Sequence, residues 1–174
     1  METAGPAMSQ ARSHVAQEDA RAGKYLAFQL GKESYAIRVL KVREIIGVQD
    51  ITPVPQTPDH VRGVFNLRGK VIPVIDLQRK FGMQATENNP RTCIVVVEVL
   101  SGATTIMMGI LVDEVSEVLN VVAADIENTP DFGKDVSVPY LLGVAKSRGS
   151  VKLLLDIDSA LQTADFAALS QMVN

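Results

Sequence analysis

Tryptophan is absent, cysteine occurs once and histidine twice in this chain of 174 residues. A lone Cys93 excludes an internal disulfide and suits a reducing compartment. His14, His60 and Cys93 fall short of the ligand set that a zinc site needs, so no metal is assigned. Basic residues do not exceed acidic ones: 17 Lys and Arg stand against 20 Asp and Glu, a net charge of −3. A protein that binds a phosphate backbone normally carries the opposite balance, and Lys24, Lys32, Arg38 and Arg43 are not interleaved with the aromatics a single-strand binder stacks on. Glu98 and Gly102 interrupt the richest apolar stretch, Cys93–Leu111, before it could span a bilayer. The N-terminus shows no basic head followed by an apolar run, so no secretory signal is expected and a cytoplasmic location follows. The chain also lacks a glycine-rich phosphate loop and a Ser/His pair on ordered elements, leaving catalysis without a starting point. Asp76, Asp113 and Asp156 each end a β run, where a carboxylate serves as helix cap or turn former. Cys93 opens a valine-rich strand and reads as a packed thiol. No catalytic residue and no cofactor is assigned.

What the chain does have is a repeat. Gly63-Val-Phe-Asn-Leu-Arg-Gly-Lys-Val-Ile-Pro-Val-Ile-Asp-Leu77 recurs eighty positions later as Gly143-Val-Ala-Lys-Ser-Arg-Gly-Ser-Val-Lys-Leu-Leu-Leu-Asp-Ile157. Gly63, Val64, Arg68, Gly69, Val71 and Asp76 are matched by Gly143, Val144, Arg148, Gly149, Val151 and Asp156. Upstream, Val39, Val42, Glu44 and Ile45 fall in register with Val112, Val115, Glu117 and Val118. Two copies of one supersecondary unit are expected, each burying a face the other helps to cover.

Residues 1–22 show no sustained period and read as a disordered leader. Tyr25–Leu30 and Tyr35–Val39 alternate as strands around a Gly31-Lys32-Glu33-Ser34 turn, a hairpin. Val39, Val42, Ile45 and Ile46 recur at spacings of three and four, predicting about two helical turns, and Asp113–Leu119 repeats them. Pro53, Pro55 and Pro58 make residues 50–59 an extended edge or loop. Arg68-Gly69 turns a second hairpin. Pro73 cannot donate to a ladder, which places its strand at an edge or bulge. Leu77–Phe81 reads as a short helix, Ala85–Arg91 as a linker, and Cys93–Val99 with Ile106–Val112 as the hairpin opening the second unit. Residues 125–138 form a polar connection, and a helix is expected over Asp158–Met172. The units cover about 24–84 and 92–160 of a domain at 23–163, with a helical tail at 164–174; strands could be exchanged between them. Two units of about five short strands each suit small all-β barrels.

Arg68, in an Asn-Leu-Arg-Gly turn between apolar strands, is either a solvated turn residue or a planar fork holding a carboxylate. The repeat pairs Arg68 with Glu44 in one unit and Arg148 with Glu117 in the other, and both pairs are expected.

The ordered series Phe28-Gln-Leu-Gly31, Tyr35-Ala-Ile-Arg-Val39, Val42-Arg-Glu-Ile45, Ile51-Thr-Pro-Val-Pro55, Gly63-Val-Phe-Asn-Leu-Arg-Gly69, Val71-Ile-Pro-Val-Ile-Asp-Leu77, Gly109-Ile-Leu-Val-Asp113 and Leu153-Leu-Leu-Asp-Ile157 resembles the CheW family of bacterial chemotaxis coupling proteins. The resemblance implies two SH3-like five-stranded β-barrels with short helices and a hydrophobic interface between them. It implies an adaptor that joins the cytoplasmic tips of methyl-accepting chemoreceptors to the regulatory domain of the histidine kinase CheA. Such a protein is expected as a monomer in isolation, joining rings with the kinase without entering the membrane or touching nucleic acid. By position it places receptor contacts at Val42, Glu44, Gly63, Asn66, Arg68, Cys93 and Val118, with Cys93 standing where an aliphatic residue is more familiar. A same-fold coupler in a chemosensory pathway not controlling flagella, and a small-barrel nucleic-acid-binding module, are the alternatives.

Overall fold

The computed structural model describes residues 19–84, 87–128 and 140–161. Its first half runs β1 (Gly23–Leu30), β2 (Glu33–Arg38), a 3-10 turn (Val39–Lys41), β3 (Val42–Gly47), β4 (Val61–Leu67), β5 (Lys70–Asp76) and α1 (Leu77–Lys80). The second half repeats the plan: β6 (Cys93–Ser101), β7 (Thr104–Val112), β8 (Glu114–Val121), a 3-10 turn (Ala123–Asp125), β9 (Ile126–Glu127), β10 (Leu141–Ser147), β11 (Ser150–Leu155) and α2 (Ile157–Ala160). The expected tail helix is described only as far as α2; the remainder of that expectation lies outside the described residues.

The two units form two SH3-like barrels by exchanging their first hairpins. One sheet has the order β8-β1-β2-β11-β10-β9 and the other β3-β6-β7-β5-β4. Thus β1–β2 sits between strands of the second repeat, and β6–β7 between strands of the first. Both joints are parallel, Leu153 beside Tyr35 and Val74 beside Gly109.

This exchange explains the unusually apolar first hairpins. Along β1, Tyr25 and Ala27 pack inside one barrel with Ala36, Val121, Ala145 and Leu154. Leu26, Phe28 and Leu30 point the other way, into a core shared between the barrels. Along β6, Ile94 and Val96 fill the second barrel with Phe65, Ile72 and Val74, while Val95, Val97 and Val99 join the shared core. A strand buried on both faces reads as a continuous hydrophobic run instead of an alternating one.

Several sequence expectations are corrected. Val42–Gly47 and Glu114–Val121 are strands, not helical turns; of the residues expected to be helical there, Val39–Lys41 alone closes a 3-10 turn. Along β3, alternate residues face inward and outward, and the adjacent apolar pair Ile45-Ile46 merely imitates a helical spacing. The strand carrying Pro73 lies between β7 and β4, yet at Pro73 itself it is an edge, as expected, paired with β4 alone. Its proline is tolerated because Val64, opposite it, turns its N–H and C=O outward to Thr52, at 2.9 and 2.8 Å. In such a pair the Pro73 nitrogen also points away from β4, and pairing with β7 begins only at Val74. Asp76 and Asp156 cap α1 and α2 through the N–H groups of Arg79 and Ser159. Asp113 caps no helix and instead accepts from the Gly31 N–H and Gln78 Nε2, each at 2.7 Å. Residues 19–22, read as the end of the leader, are tied down: Tyr25 Oη donates to the Arg21 carbonyl and Arg21 Nη1 to the Leu142 carbonyl. Residues 1–18 lie outside the described part.

Candidate functional site

The two Arg-Gly hairpins are built alike. Arg68 and Arg148 both adopt φ +50°, followed by Gly69 at +88° and Gly149 at +78°. Two successive positive φ values in a two-residue loop define the type I′ turn, whose twist matches that of the flanking strands. The first turn is further fixed by Asn66, whose Oδ1 accepts from the Gly69 N–H at 2.8 Å.

At the tip of this hairpin Arg68 forms a forked pair with Glu44 of β3. Arg68 Nη1 donates to Glu44 Oε1 at 3.0 Å and Nη2 donates to Oε2. The pair is at the surface, with the Arg68 side chain 71% and the Glu44 side chain 28% exposed. The hydrogen bonds from Arg68 hold the Glu44 carboxyl below the usual carboxylate range, aided by the guanidinium charge and opposed by desolvation; reciprocally, Glu44 raises Arg68. Arg68 is therefore both a turn residue and a planar fork. The matching pair is present but looser: Arg148 Nη1 lies 3.5 Å from Glu117 Oε2.

The other expected contact residues divide by environment. Val42 and Cys93 are half-buried and pack against the shared core, and Cys93 pairs with Gly47 at the end of β3. Burial pushes the Cys93 thiol up, against a hydrogen bond with the Val115 backbone, so it is not poised as a nucleophile. Gly63 is buried and presents no side chain: a Cβ there would lie 2.1 Å from the Thr52 carbonyl oxygen. Its role is to let Thr52 and Pro53 cover the β4 edge. Val118, on β8 of the other barrel, is 59% exposed and belongs to none of the packed clusters. Glu44, Asn66 and Arg68 thus form one surface, Val42 and Cys93 root it in the shared core, and Val118 stands on the opposite barrel.

Besides the expected Val118, further exposed apolar residues lie beside these positions: Ile45 and Val71 are about half exposed, as is Val151, the repeat mate of Val71. Reading β3 as a strand reveals Ile45 as the outward neighbour of Glu44, matching Val118 beside Glu117. Among the described residues no group of three or more His, Cys, Asp or Glu is placed to hold a metal, and no helix is long and apolar enough to cross a membrane.

Comparison with known proteins agrees with this architecture. The CheW-like domain family model matches residues 24–165. The chain is 36% identical to a chemotaxis protein CheW of Klebsiella aerogenes over 149 residues, covering 86% of this chain and 87% of that one. It is also 36% identical to a chemotaxis protein CheW of Rhizobium meliloti over 140 residues, covering 80% and 88%. The crystal structure of the scaffolding protein TtCheW from Thermoanaerobacter tengcongensis superposes with a TM-score of 0.71 at 28% identity, covering 83% of this chain and 90% of that one. Two barrels built from a duplicated Arg-Gly unit, matched from end to end of the described fold, place this chain in the CheW family.

Proposed function

We propose that this protein is a non-catalytic adaptor that couples methyl-accepting chemoreceptors to the histidine kinase CheA at the cytoplasmic face of receptor arrays. Family membership and similarity to a protein described as a scaffold support the general role. The observation that carries the docking site is the forked Glu44–Arg68 pair on an exposed hairpin beside half-buried Val42 and Cys93. A receptor helix laid along this surface meets a fixed charge pair for register and apolar side chains for contact area. Asn66 and Val118 complete the surface, and Gly63 shapes its backbone. The kinase contacts fall on other exposed parts of the barrels, so that unlike ends let adaptor and kinase alternate.

Reconstitution with CheA and a receptor fragment tests the proposal. The wild-type protein raises receptor-coupled kinase activity and brings the kinase down with receptor membranes. Arg68→Glu loses both while keeping the wild-type melting temperature, and Glu44→Arg combined with Arg68→Glu recovers part of the loss. A wild-type protein that neither activates nor recruits the kinase overturns the adaptor reading; an Arg68→Glu variant that couples normally overturns only the site.

A further inference from the structure

The two Arg-Gly hairpins provide an internal control on what makes the first one suited to docking. Both have the same turn, the same positive φ at arginine and a glutamate on the neighbouring edge strand. They differ on both sides of the Arg-Gly pair, where Leu67 and Lys70 give way to Ser147 and Ser150, and most tellingly two residues before the arginine. In the first copy Asn66 turns its amide oxygen back onto the Gly69 N–H. In the second copy Lys146 stands in that place, and its ammonium reaches away to Glu127 at 2.6 Å. Where the asparagine is present, the arginine grips its glutamate through both oxygens. Where it is absent, Arg148 and Glu117 sit 3.5 Å apart and both side chains are more exposed.

We infer that Asn66 is a positioning residue, which pins the turn through the Gly69 N–H so that Arg68 presents a pre-formed, two-pronged pair with Glu44 to a partner. The physical reason is entropic. An arginine on a free type I′ tip samples many rotamers, and a partner reading its fork must halt that motion on binding. Fixing Gly69 from the side chain of Asn66 removes motion of the turn on which Arg68 is mounted; the second copy forms the same turn without that bond, bridged instead from Ser150 Oγ to the Ser147 carbonyl at 2.9 Å. Asn66 therefore acts through Arg68 and does not itself need to touch the partner. This inference rests on the docking surface proposed above, and it makes Asn66 the residue through which the first hairpin, unlike its repeat, braces the glycine of its turn.

The test uses the full chain and two reciprocal variants. Asn66→Ala removes the acceptor; Lys146→Asn installs one in the second copy. Two readouts are taken, one within the protein and one on binding. The first follows the Arg68 guanidinium and the Glu44 carboxyl by NMR, with their counterparts Arg148 and Glu117. The second is the affinity for a chemoreceptor cytoplasmic fragment. In Asn66→Ala the slowly exchanging Arg68 guanidinium signals are lost, Glu44 titrates closer to an ordinary carboxylate, and affinity falls roughly three- to tenfold, the range of one lost hydrogen bond. In Lys146→Asn the Arg148 signals sharpen while receptor affinity stays unchanged. Unaltered Arg68 and Glu44 signals in Asn66→Ala overturn the inference, even if affinity falls, because Asn66 would then act by direct contact. Altered signals with unaltered affinity leave the positioning intact and count against the docking surface. The Lys146→Asn variant keeps the inference refutable if Asn66→Ala folds poorly: no sharpening of Arg148 speaks against it.

Discussion

Substituting Gly63 by alanine separates a residue that supports a surface from one that forms it. Gly63 has φ +138°, and a Cβ there would lie 2.1 Å from the Thr52 oxygen, 2.7 Å from its carbonyl carbon and 2.9 Å from Pro53 Cα. All three are backbone atoms, so no side-chain rotation relieves the overlap. Thr52 can only be pushed off the edge of β4, breaking its two hydrogen bonds with Val64, at about 1 kcal/mol each. Strain from an alanine held at a backbone angle that suits glycine adds roughly 1–2 kcal/mol. The sum is about 3 kcal/mol, which for a chain of this length lowers the melting temperature by roughly 6–12 °C. Thermal unfolding by circular dichroism reads that shift, and amide exchange reads loss of protection at Thr52 and Val64. Gly143→Ala meets the Glu127 carbonyl oxygen at 2.8 Å and loses stability in the same direction, because Glu127 pairs with Val144 as Thr52 does with Val64. Gly69→Asn is the control: its turn position is open, asparagine tolerates positive φ, and the loss is about 1 kcal/mol. A Gly63→Ala protein melting within about 2 °C of wild type, with Thr52 still protected, refutes the reasoning and restores Gly63 as a direct contact.

Two further outcomes follow from the electrostatics. The Glu44 carboxyl is held below its ordinary range chiefly by the hydrogen bonds from Arg68, so the pair contributes fully above the ordinary carboxylate pKa and is lost as pH falls through the depressed value. NMR titration of Glu44 therefore gives a midpoint below that of an unpaired glutamate, and Arg68→Ala moves it up; an unchanged midpoint contradicts the forked geometry. Burial raises the Cys93 thiol, so at pH 8 the folded protein reacts with a thiol-alkylating reagent far more slowly than after unfolding in denaturant, and equal rates would show the thiol to be freely exposed.

How much could be read from the residues depended on whether the determining interaction is local. The Arg-Gly turns were legible because a type I′ turn is set by two adjacent residues, and the caps at Asp76 and Asp156 because each carboxylate bonds an N–H three residues on. The Glu44–Arg68 pair spans 24 positions yet was legible through the repeat, which aligned a glutamate and an arginine twice. β3 and β8 were misread because Val39, Val42, Ile45 and Ile46 satisfy a helical spacing while burying nothing in a helical way. The register shift in β3 between Val42 and Glu44 further blurs its pairing. The place of β5 in the middle of its sheet depends on the parallel pairing with β7 that begins at Val74, a contact no local pattern announces. Asn66 was singled out as a contact, but its bond to Gly69 became meaningful only beside Lys146, which does something else in the same place.

The hairpin exchange governs where the two copies were free to diverge. Because β1 and β6 each serve a barrel interior on one face and the shared core on the other, a change such as Phe28→Ala or Val97→Ala opens a cavity that both barrels feel. The exchange also ties the two repeats through a parallel strand pair inside each barrel, so neither repeat can shift far without breaking backbone hydrogen bonds of the other. Variation is least constrained at the hairpin tips, where Asn66, Lys146 and the Arg-Gly pairs lie outside all three clusters and the backbone is already set by the turn. There Asn66 and Lys146 differ, and with them the grip of each arginine on its glutamate. A rigid frame with two like tips, one bridged by Asn66 to the Gly69 N–H and the other by Ser150 to the Ser147 carbonyl, leaves each tip free to hold its arginine differently while both keep the fold.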